Sequence, residues 1–119
     1  MSSTAYPLHL HLAGRRAVVV GGGPVAARRA RALVEAGADV LLVAPDACED
    51  VVELAAAGAL AWRREPWAPA HLDGAWLVHT ATGDLATDDA VAAEADARRT
   101  WCVRADDATR SAAWTPAVV

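Results

Sequence analysis

A chain of 119 residues supports a single domain, long enough to bury roughly two-thirds of its unfolded surface. With 11 basic against 15 acidic residues and a net charge of −4, it lacks the basic footprint of a nucleic-acid binder. No apolar run reaches membrane-spanning length, and residues 1–6 are a polar start rather than a targeting leader. Cys48 and Cys102, far apart and without ligand spacing, point to a reduced, cytoplasmic setting.

Residues 7–12 alternate Leu8 and Leu10 with His9 and His11, the pattern of an edge strand with both imidazoles on one solvated face. Two ligands without a third do not make a zinc site, and no metal is expected. Ala13, Gly14 and Arg15 turn the chain into residues 17–20 (AVVV), too short for a helix and suited to a strand buried on both faces. Gly21, Gly22 and Gly23 follow, then Pro24, whose fixed φ and missing N–H suit the first turn of a helix. Ala26, Ala30, Leu33 and Val34 recur at helical spacing, with Arg28, Arg31 and Glu35 opposite. Gly37 is expected to end that helix as a left-handed cap, and residues 40–43 form a second buried strand.

Further along, residues 49–57 read as a short helix ending at Gly58, and residues 59–62 as a third strand. Arg63 and Arg64 leave that strand, and Trp67, Pro69 and His71 lie in a connection. Residues 75–80 give a fourth strand, broken before Gly83. A helix follows with Ala86, Ala90, Ala93 and Ala97 as its inner stripe and Asp88, Asp89, Glu94, Asp96 and Arg98 outside. Residues 101–105 form a fifth strand with Asp106 and Asp107 at its carboxyl end, and residues 114–119 a last extended stretch with no assignable partner. Alternating strands and helices predict an α/β, Rossmann-like, doubly wound parallel sheet with helices on both faces, spanning residues 1–119 as one domain.

The glycine turn carries the chemistry. Gly21 permits the sharp exit from the strand, and Gly23, lacking a Cβ, lets backbone N–H groups reach a pyrophosphate at the helix N-terminus. Ala26 takes the third fingerprint position, where the helix must pack close to the strand. A bare GxGxxA is weak, but its placement after a strand and before a helix is the context that the motif requires. The acidic residue expected for the ribose would fall near Ala44, whereas the nearest carboxylate is Asp46, beyond Pro45. The absence of Arg or Lys directly after this strand points to NAD rather than NADP. Ligands in such sheets bind outside the carboxyl ends of the strands, so the candidates are residues 21–25, 44–46, 80–84 and Asp106.

These loops resemble a known family. Residues 6–46 (YPLHLHLAGRRAVVVGGGPVAARRARALVEAGADVLLVAPD), TATGD after the fourth strand and ADDATRSAAWTPAVV at the end are similar to the NAD-binding N-terminal part of siroheme synthases and precorrin-2 dehydrogenases. The resemblance implies oxidation of precorrin-2 to sirohydrochlorin with NAD, and in some members iron insertion or a fused uroporphyrinogen-III C-methyltransferase. It implies that Gly21, Gly22, Gly23, Pro24 and Val25 meet the pyrophosphate, and Ala44, Pro45 and Asp46 the ribose. Thr80, Ala81 and Thr82 line the way to the nicotinamide, and Asp106 is the catalytic carboxylate. It further implies a homodimer, and that this chain is a piece of a longer protein with dimerisation and helical regions.

The chain departs from the family pattern at three places. Val103 stands where Asn is frequent, Arg104 where an apolar strand residue is usual, and His79 replaces an apolar residue in the fourth strand. His79 is expected to be a structural, hydrogen-bonded histidine rather than a proton carrier. Asp107 is expected on the opposite side of the strand from Asp106, so the two are no shared-proton dyad. A non-catalytic NAD(H)-sensing domain is the alternative function. It needs no carboxylate at the position of Asp106.

Overall fold

Val-rich runs bounded by glycines do form the strands. The computed structural model describes residues 4–106 and 113. The strands are β1 (Arg16–Val20), β2 (Asp39–Val43), β3 (Ala61–Arg63), β4 (Leu77–Thr80) and β5 (Trp101–Arg104). They make one parallel sheet in the order β3-β2-β1-β4-β5. The helices are α1 (Pro24–Glu35), α2 (Glu49–Ala56) and α3 (Leu85–Ala97), with a 3-10 turn at Pro69–Leu72.

Alternation along each strand builds the two core layers. Ala17, Val19 and Leu42 face α1 and α2, packing on Ala26, Ala30, Leu33 and Val51. Val18, Val20, Leu41 and Val78 face the other way, onto Leu72, Val91 and Ala95 of the 3-10 turn and α3. With both faces covered, the central strands have no polar side, which is why their sequence shows no alternation of polarity. The chain runs from β1 outward to β2 and β3, then returns to place β4 on the other flank of β1. That reversal puts a crevice at the carboxyl ends of β1 and β4.

Helix ends follow their local chemistry. Gly37 has φ 81°. Its N–H bonds to the Val34 carbonyl, and the Ala38 N–H to that of Leu33, closing α1 in a Schellman motif. Gly58 closes α2 in the same way, with the Ala59 N–H on the Leu54 carbonyl. That bond takes Ala59 out of the sheet, so β3 begins at Ala61 rather than at residue 59. The Ala75 N–H likewise bonds to Leu72 in the 3-10 turn, an element the sequence reading did not anticipate, and β4 begins at Leu77.

Two further expectations fail. Residues 4–11 are exposed and form no strand, so His9 and His11 are not edge-strand residues. The inner stripe of α3 is Asp88, Val91 and Ala95, whereas Ala86, Ala90, Ala93 and Ala97 are exposed. Alanines lie all around this helix, so its sequence carries little contrast in hydrophobicity, and a buried polar anchor selects the face. Among the described residues no helix is long and apolar enough to cross a membrane. Asp107 and residues 114–119 lie outside the described residues.

Candidate functional site

A cleft of about 870 Å³ opens at the carboxyl ends of the strands. The glycine turn, the loop after β2, the loop after β4 and the end of β5 form its walls. Each glycine of the turn has its own reason. Gly21 has φ 131°, and a Cβ there would collide with the Ala81 carbonyl, with its carbon 2.8 Å away. A Cβ on Gly22 would strike the Asp46 carbonyl and lie 2.9 Å from the Ala47 Cα, because the Cys48 N–H bonds to the Gly22 carbonyl at 2.7 Å. These two glycines let three loops close on one another.

Gly23 differs. It has φ −86°, which any residue adopts, and a Cβ there would meet nothing within 4 Å. The space in front of it belongs to the cleft. Gly23 is also the N-cap of α1, where no side-chain cap bond is made and no acidic residue occupies the first turn. Val25, which lines the cleft beside Pro24, therefore presents its first-turn N–H group to whatever fills it. An uncapped helix N-terminus, its dipole and an open approach fit a pyrophosphate.

In the loop after β2, where the ribose is expected, Ala44 is buried and its carbonyl accepts the Trp62 indole N–H at 3.0 Å. Pro45 and Asp46 line the cleft, and the Asp46 side chain is 94% exposed, with Arg64 at 3.9 Å. Trp67 and Cys48 also line it, and neither is expected there from the sequence. Trp67 stood in a connection without periodicity, and no local signal marked it.

At the opposite end the structure redistributes the expected roles. Ala81 and Thr82 line the cleft, but Thr80 is fully buried behind it. The Thr80 hydroxyl donates to Asp88 Oδ1 at 2.6 Å. The same oxygen accepts the Thr82 hydroxyl at 2.8 Å and the Thr82 N–H at 3.3 Å. Asp88, 1% exposed, thus pins the loop after β4 to α3 at the cleft wall. Asp88 therefore belongs to the inner face of α3, not to the outer face that the sequence predicts. Asp88→Ala should leave the Thr80 hydroxyl buried without its acceptor and cost about 2 kcal/mol, with Asp88→Asn milder. Urea denaturation of the two variants checks this.

Asp106 lines the cleft just beyond β5. Arg104 holds it side-on, through Nε to Oδ1 at 3.0 Å and Nη2 to Oδ2 at 2.9 Å. His79 is 5% exposed and is not part of the cleft wall. Burial, helped by the charge of Arg29, lowers its pKa from 6.5 to about 4. It is a neutral core histidine near neutrality and is not placed to carry protons to the cleft.

A doubly wound parallel sheet with an uncapped glycine turn facing a switch-point cleft defines a dinucleotide-binding domain. The sequence model of an NAD(P)-binding family matches residues 8–117, and the chain belongs to that family. It is 41% identical to a siroheme synthase of Chromobacterium violaceum over 96% of its length. It is 48% identical to one of Halorhodospira halophila over 72%. The chain spans about a quarter of the length of the first of these relatives, 24%. Its fold superposes on the solved SirC, precorrin-2 dehydrogenase, with a TM-score of 0.68 at 33% identity, covering 71% of this chain and 43% of that one. An apo D-lactate dehydrogenase from Escherichia coli, at 16% identity and a TM-score of 0.58, shares the fold alone.

Proposed function

We propose that this domain serves an NAD-dependent dehydrogenase of siroheme biosynthesis, which oxidises precorrin-2 to sirohydrochlorin. The observation that carries this reading is the meeting of the glycine turn and Asp106 across one cleft, in a chain similar to siroheme synthases. The bound cofactor supplies a hydride acceptor. Residues 21–25 hold its pyrophosphate, the turn at Ala44, Pro45 and Asp46 its ribose, and Ala81 and Thr82 flank its nicotinamide. Asp46 favours NAD, because its carboxylate would repel a ribose 2′-phosphate. Loss of a hydride from the reduced macrocycle must be accompanied by loss of a proton, and Asp106 is the carboxylate at that end of the cleft to accept it. Anaerobic conversion of precorrin-2, followed by absorbance with and without NAD, tests the reaction. A homodimer and a cytoplasmic location belong to the same proposal and rest on the resemblance. Sedimentation checks the first.

Binding is tested separately at Gly23. Gly23→Val should weaken NAD by on the order of 100-fold, about 2.7 kcal/mol, because the branched side chain enters the approach to the N–H groups. The backbone there accepts any residue, so folding should lose no more than about 1 kcal/mol from the poorer cap. Gly22→Ala, by contrast, should destabilise the fold itself, since its Cβ strikes backbone. Calorimetric NAD titration beside thermal melts separates the two. Unchanged affinity in folded Gly23→Val would remove the glycine turn from the cofactor site.

A further inference from the structure

We propose that Arg104 is a positioning residue for Asp106, and that Asp89 secures Arg104 from its other edge. The inference rests on the dehydrogenase reading above and assigns the part that this chain's departure from the family pattern plays in it.

The side chain of Arg104 is 4% exposed, although it carries a full charge. A buried cation persists only where hydrogen-bonded anions offset its desolvation. Two are present. The side-on fork engages both oxygens of Asp106, and Nη1 reaches Asp89 Oδ1 on α3 at 2.7 Å. Residues two apart at a strand end point to the same side, which is how Arg104 and Asp106 meet without strain. The hydrogen bonds that Arg104 donates to Asp106, against the opposing effect of burial and with help from Asp89, raise the guanidinium pKa further.

A fork with two bonds fixes the plane of the carboxylate, which a single bond from lysine would not. Asp106 follows the strand in a bend, its side chain 29% exposed, where an unclamped Asp would sample several rotamers. A pre-oriented carboxylate meets the charge and the proton that accompany hydride loss without reorganising.

The test combines kinetics with a spectroscopic readout on the protein itself. Arg104→Gln should lower kcat on the order of 10- to 100-fold, the scale set by a misplaced reacting group. KM for precorrin-2 and calorimetric NAD affinity should stay within about twofold, since the clamp orients without adding a contact common to ground and transition states. In an Asp106→Asn background the same substitution should cause no further loss, and Arg104→Lys should recover only part of the rate. Asp89→Asn, on an exposed residue that leaves the fold intact, should lower kcat several-fold, within the effect of the parent clamp. Independently of turnover, the 15N-resolved Arg104 Nε–H resonance should be sharp and hydrogen-bonded in the wild type and shifted in Asp106→Asn. Full additivity of Arg104→Gln with Asp106→Asn, or an Arg104 resonance indifferent to Asp106→Asn, would overturn the proposal. A wild-type protein with the resonance signature but no precorrin-2 oxidation would sink the dehydrogenase reading, and the catalytic role of the clamp with it, while leaving the clamp itself standing.

Discussion

Asp106→Ala is expected to slow precorrin-2 oxidation by about 10²- to 10⁴-fold, roughly 3 to 5 kcal/mol of barrier. NAD affinity should be unchanged, because the residues proposed to hold the pyrophosphate and ribose are on other loops of the cleft. The variant also takes a doubly hydrogen-bonded partner from a buried guanidinium, so some loss of stability will accompany the loss of rate. Asp106→Asn separates the two effects, since it keeps an acceptor oxygen for Arg104 while removing the charge. Anaerobic absorbance assays should compare both variants with Asp107→Ala, which is expected to turn over like the wild type. Loss of rate in Asp107→Ala alone would move the assignment by one residue. Full rates in both Asp106 variants would discard the catalytic assignment and favour the NAD(H)-sensing alternative.

Acidification should destabilise the fold through His79 by about 3 kcal/mol, at 1.36 kcal/mol per unit of pKa shift. Its pKa falls from 6.5 to about 4 on folding, so the unfolded chain binds this proton more readily than the native one. The stability tied to the neutral imidazole is complete above pH 6.5 and drains away as the pH drops towards 4. Above that window His79 contributes no pH dependence. The physical cause is burial in β4, with the Arg29 charge adding to the cost of a second cation. Urea denaturation at pH 7.5 and pH 4 measures the loss. Other carboxylates titrate over part of the same range, so the informative quantity is the difference between wild type and His79→Gln. An equal loss in both would show that His79 does not set the acid sensitivity.

The sequence by itself determined the sheet, the helices and the glycine turn, because each is written in contiguous residues. Val-rich runs, a glycine at each sharp bend and proline at the start of α1 act over a few positions of backbone. They place residues 21–25 and Asp106 at strand ends wherever the rest of the chain goes. Only the tertiary structure decided which side of α3 faces inward, since its alanines are indifferent and the contact of Asp88 with Thr80 and Thr82 selects the face. It also separated Gly21 and Gly22, which loops from elsewhere in the chain require, from Gly23, which the open cleft leaves free. The pairing of Arg104 with Asp89, fifteen residues apart on different elements, is likewise invisible to periodicity. A charged residue in a buried strand reads as a fault until its partners are known. Side-chain pairing across elements depends on packing distances that no local pattern encodes, and that is where this protein keeps the details of its site.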